Sequence, residues 1–179
     1  MQQEKLKKIQ ESIRKNWGKV KPFNKIPIYN FNCYMFAICN TEPTEILFNG
    51  RMMVSTVGEY VSYFGSIGRF SRTSYKNLEQ YKQALINDLR VLGILAEECE
   101  ADAEIDKEQI KIAFFSNFEE GMPKAEEEFH FLRFVPTENR WMGKEGYPGN
   151  LQRIRRGCSI EQINVVGQRR IGIFKLTLI

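Results

Sequence analysis

Two residues in this chain could together do covalent chemistry, and they lie nearly a hundred positions apart. Cys33 directly follows a stretch read as extended, KVKPFNKIPIYNFN, and opens the short apolar run CYMFAICN. A helix beginning at or next to it would present partial positive charge to the sulfur and lower its pKa. The plainer reading is a small core side chain, the usual fate of a cysteine in an apolar segment. His130 is the only histidine of the chain and sits inside FHFLRFV. An imidazole on a sheet face must find hydrogen-bond partners. Brought together, a thiol nucleophile and an imidazole base would support acyl transfer; kept apart, each is an ordinary structural residue.

Other candidates are weaker. Cys33, Cys39, Cys99 and Cys158 contain no Cys-x-x-Cys pair, and one histidine supplies a zinc site poorly, so no metal or cofactor is expected. Arg153, Arg155, Arg156, Arg169 and Arg170 crowd the C-terminal third. They read either as solvated surface or as a patch for an anionic partner, where guanidinium forks bind carboxylates or phosphates. GYPGN (146–150) is turn chemistry. GSIGRF (65–70) lacks the Gly-Lys-Ser/Thr of a phosphate loop.

The elements that must position these residues follow from periodicity. Residues 2–17 carry Leu6, Ile9, Ile13 and Trp17 at helical spacing, and a longer helix is expected from about Ser74 to Leu92, with Gly93 at its C-terminal cap. CYMFAICN reads as a buried helix. Residues 44–70 read as loops with short elements, and AEECEADAEIDKEQ (96–109) as a solvated connector. Strands are expected at 110–116, 129–135 and 171–179, with 119–128 as a long acidic hairpin loop. On 129–135, His130, Leu132 and Phe134 share one face, and Phe129, Phe131, Arg133 and Val135 the other. Helices first and strands later argue for an α+β domain with an antiparallel sheet. An N-terminal helix and linker (1–29) would lead into the main domain (30–179).

The 179 residues, 42% hydrophobic and 12% aromatic, suit one core rather than disorder. No apolar run approaches the roughly 20 residues of a membrane-spanning helix. The N-terminal residues lack the apolar core of a secretory signal, so the chain reads as cytoplasmic, with reduced thiols. A net charge of +4, from 26 basic and 22 acidic residues, argues against nucleic-acid binding.

NFNCYMFAI, DLRVLGI with the acidic stretch holding Cys99, KIAFFS, EFHFLRF, RWMGKEGYPG and IGIFKLTL follow one another in this order. Together they resemble successive blocks of a bacterial family of NlpC-like, papain-fold proteins, from about Asn30 to the C-terminus. The resemblance implies a cysteine that opens a helix packed on an antiparallel sheet, with the histidine on a neighbouring strand. It casts Cys33 as nucleophile and His130 as general base for cleaving an amide bond in a peptide or cell-wall peptide. Where similar proteins read Trp-Ser-His-Lys, this chain reads Trp141-Met142-Gly143-Lys144. The second histidine, which would orient the first, is absent. Glu138, Asn139 and Asn150 are near enough in sequence to replace it. The Cys33 N–H with Asn32 would form the oxyanion site, and Trp141 reads as core.

Two functions compete on this reading. One is a papain-like cysteine hydrolase acting on a peptide or peptidoglycan-like substrate. The other is a catalytically degenerate protein on the same fold that binds a protein or nucleoprotein, such as an inhibitor or effector carried by a mobile element. Neither needs a membrane.

Overall fold

The structure, a computed structural model, describes residues 2–25, 31–42, 47–48, 51–52, 67–68, 70–145 and 150–179. Helix α1 (Gln2–Asn16) follows its apolar stripe. Ile9 and Ile13 are buried, and Arg14 and Lys15 sit in the last turn, where cations oppose the helix dipole. The linker is not extended throughout as expected: a 3-10 turn (Lys21–Lys25) interrupts it and puts Phe23 in the core. Helix α2 (Cys33–Ala37) begins where Asn32 accepts the Met35 N–H at 2.9 Å. It stops after five residues, shorter than the apolar run, and Cys39 then turns left-handed at φ 62°. Helix α3 (Leu78–Val91) starts later than Ser74 because the Asn77 side chain caps the Gln80 N–H. It ends against Gly93, whose φ of +81° favours glycine.

A two-residue hairpin pairs β1 (Leu47–Phe48) with β2 (Arg51–Met52). The main sheet has six strands: β3 (Ile94–Glu98), β4 (Ile110–Ser116), β5 (Phe129–Val135), β6 (Arg140–Lys144), β7 (Leu151–Arg153) and β8 (Arg169–Leu178). Their order is β3-β8-β4-β5-β6-β7, and every neighbouring pair is antiparallel. The chain is therefore α+β, helices with an antiparallel sheet. Three strands depart from the sequence reading. The supposed connector at 96–109 begins inside β3, which pairs with the C-terminal half of β8, while β6 and β7 add a hairpin beside β5. Most of 44–70, together with Pro27 and residues 146–149 of GYPGN, lies outside the described residues.

The helices lie on one face of the sheet. Their core joins Ile9, Ile13, Phe23, Phe36 and Leu85 to Ile112, Phe114, Phe131, Met142 and Phe174, so the N-terminal segment shares the main core. A second, smaller core covers the other face. There the connection between β7 and β8, through Ile160, packs on Ala113, Phe115, Leu132, Trp141 and Ile173. Trp141 is core, 4% exposed, with its ring 5.4 Å from that of Phe134. Strand β5 separates the two layers by simple alternation.

Candidate functional site

Cys33 takes the first position of α2, as its sequence context suggested, and is 5% exposed. Helix α2 meets β5 through Tyr34, whose ring stacks on Phe131 with centroids 4.8 Å apart and meets Phe129 edge-on. The thiol thus approaches β5 from the helix face. It lies 3.8 Å from the Phe129 carbonyl oxygen, to which it donates. Burial pushes its pKa up to about 11, and backbone N–H groups and the nearby Lys144 ammonium only partly offset that.

His130 goes the other way. It is the register partner of Phe115, which belongs to the second core. Its Nε2 lies 3.1 Å from where a Cβ on Gly143 would stand, and Gly143 pairs with Leu132 of that same core. Phe131 and Arg133, the alternate residues of the strand, face α2. Burial drives the imidazole pKa down to about 4, with no charged neighbour contributing. Cys33 and His130 therefore meet the same short stretch of β5 from opposite sides. They share no hydrogen bond, and neither influences the other's titration. The structure does not bring the expected pair together, because strand alternation directs the two side chains to different layers.

The remaining candidates disperse as well. Glu138 and Asn139 form the turn between β5 and β6, five residues and so about 17 Å along the strand from His130. Glu138 is 3.3 Å from Arg140 Nε, and Asn139 holds the turn at φ 47°. Asn150 is exposed, and its carbonyl accepts the Glu145 N–H. No hydrogen bond joins any of the three to the imidazole. Asn32 spends its side-chain oxygen on capping α2 rather than facing an open oxyanion site. Gly143, where the resemblance would place a second histidine, lies against His130 on the face away from the thiol.

No family model, curated protein or solved structure matches the chain. Its chemistry has to be read from its own residues.

The arginine cluster is not one patch. Arg153 ends β7 and Arg169 begins β8, four strand spacings and so about 19 Å across the sheet. Arg155 and Arg156 are exposed beside Gly157, whose N–H bonds Asn139 O at the β5–β6 turn. Arg169 instead pairs with Ser116 at the opposite end and donates to Phe118 O, while Arg170 is 3.3 Å from Glu161. Among the described residues, no group of three or more His, Cys, Asp or Glu side chains could hold a metal ion. Nor is any described helix long and apolar enough to cross a membrane.

Sequence reasoning missed the two most deeply buried cations among the described residues. Lys144, fully buried on β6, lies over the Phe31 ring at 5.2 Å, and burial pulls its pKa down to about 8. The alternation in RWMGK signals it, since Met142 and Lys144 must share a face. Arg133, 1% exposed, lies over Phe36 at 4.3 Å and donates to Cys39 Sγ at 2.7 Å and to Lys19 O at 3.1 Å. Its place on the helix face follows from the same period of two.

Proposed function

We propose that this chain is a binding protein without hydrolytic activity, built on a papain-like arrangement of helix and sheet. The observation that carries the reading is the division of Cys33 and His130 between the two faces of β5. At neutral pH a thiol raised to about 11 and an imidazole lowered to about 4 are both uncharged. A thiolate–imidazolium pair, the working state of a cysteine hydrolase, finds no support in that electrostatic setting. A cysteine heading a helix on an antiparallel sheet, with a histidine on the strand it touches, supports the family likeness of the scaffold. It does not supply the reaction.

Thiol alkylation as a function of pH tests this. Cys33 is expected to react slowly at pH 7, to accelerate steadily above pH 9, and to behave identically in His130→Ala. A fast, His130-dependent reaction with a plateau below pH 8, or peptide hydrolysis lost in Cys33→Ala, would return the chain to the hydrolases. The hydrolytic reading keeps one support, because Lys144 is the charged group whose field reaches Cys33. Repeating the profile in Lys144→Met reads that route separately.

A further inference from the structure

A groove of about 610 Å³ opens where β5 turns into β6, between that turn and the segment following α1. Its floor is apolar, from Val20, Pro22 and Val135, and its rim carries Lys19, Lys21 and Lys25. All three lysines are exposed. Lys21 and Lys25 make no ion pair among the described residues, and Lys19 Nζ donates only to the Lys15 carbonyl. Glu138, the one acidic residue among the described lining residues, lies 3.3 Å from Arg140. The groove is thus a cationic rim over an apolar floor, with three lysines against one glutamate among its described residues.

The lysine-bearing segment is also held in place. Arg133, buried beneath it, donates to Lys19 O at 3.1 Å, and Phe23 packs edge-on against both Phe31 and Phe36, with centroids 5.1 Å apart in each pair. Cations fixed on an ordered turn lose less entropy on binding than cations on a free tail. The described residues of the lining include neither an aromatic ring nor an arginine. Among those residues there is thus no stacking platform and no guanidinium fork, the usual means of holding nucleic acid.

We infer that this groove receives an acidic peptide segment of a partner protein, with an apolar residue on the Val20–Pro22–Val135 floor and carboxylates on Lys19, Lys21 and Lys25. The inference rests on the reading of the chain as a binding protein and names the surface it would use. Arg155 and Arg156, on the far side of the β5–β6 turn, extend the positive field at the same end of the sheet.

The test measures fluorescence anisotropy with a fluorescein-labelled peptide of alternating glutamate and leucine. A lysine–leucine peptide and a single-stranded oligonucleotide of equal charge serve as comparisons. The glutamate–leucine peptide should bind most tightly, and the triple charge reversal Lys19→Glu, Lys21→Glu, Lys25→Glu should weaken it on the order of tenfold. The reversal is confined to exposed side chains, so the circular dichroism spectrum should not change. No measurable binding, equal affinity for the triple variant, or tighter binding of the oligonucleotide overturns the inference. Peptide cleavage dependent on Cys33 would instead overturn the non-catalytic reading, and anisotropy and cleavage are separate readouts.

Discussion

At the scale of single residues, His130 is a proton acceptor placed where a proton is unwelcome. Its folded pKa of about 4 lies below the ordinary 6.5, so between those values the unfolded chain binds a proton that the folded chain refuses. Stability must fall as pH drops through that window. At about 1.4 kcal/mol per unit, His130→Gln should gain on the order of 2 kcal/mol relative to wild type between pH 7 and pH 4.5, read by urea denaturation at both pH values. Gly143 poses the complementary test. A Cβ there would stand 2.5 Å from Leu132 Cδ2 and 3.1 Å from His130 Nε2. Gly143→His should therefore cost about 1–3 kcal/mol through overpacking and bring no peptide hydrolysis. A hydrolytic gain would mean that the second face can host the reaction. The residue types were legible in the sequence, since a lone histidine and a helix-heading cysteine stand out. Their separation was legible too, but only with the knowledge that α2 packs on the Phe131 face rather than the His130 face.

At the scale of elements, the acidic segment between β4 and β5 shows what local sequence leaves out. EEGMPKAEEE reads as a long acidic hairpin loop and does connect the two strands, yet Glu127 within it is fastened to the core. It accepts from Tyr75 at 2.5 Å and Tyr81 at 2.9 Å, and Ser116 Oγ donates to the neighbouring Glu128 carbonyl at 2.7 Å. Glu127→Ala removes the acceptor of the half-buried Tyr75 phenol and leaves the buried Tyr81 phenol only Ser116 Oγ, at 3.1 Å. It should destabilise the domain by about 1–3 kcal/mol and raise amide exchange across residues 117–128. Unchanged exchange would show that the Ser116 bonds alone hold the segment. The same lesson covers the strands. β4, β5 and β8 are apolar runs that declare themselves, as α1 and α3 do through helical spacing. β3 hides because its last residues, Glu97 and Glu98, begin an acidic stretch on an edge strand. β6 and β7 are short, with Gly143 inside β6, and they owe their extended form to pairing with β5 and each other rather than to propensity.

At the scale of the whole molecule, one sheet serves two cores that are covered differently. Among the described residues, three helices cover one face, and the other is closed by the irregular connection between β7 and β8. Ile160, 2% exposed, anchors that connection. Ile160→Ala should cost about 2–5 kcal/mol and expose the second face to a hydrophobic dye, whereas a silent substitution would mean that the connection holds through its backbone alone. Strand order was the least legible feature. The insertion of β8 between β3 and β4, which parts the arginines, is set by long-range pairing that no local window contains. The separation of thiol and imidazole is the central claim, and a chain with one histidine gives it a direct measurement. The imidazole resonances, followed by NMR from pH 3 to pH 9, should titrate with a pKa near 4 and be unmoved by Cys33→Ser. A pKa above 6.5 that falls when Cys33 is replaced would reveal an ion pair across β5 and contradict the account.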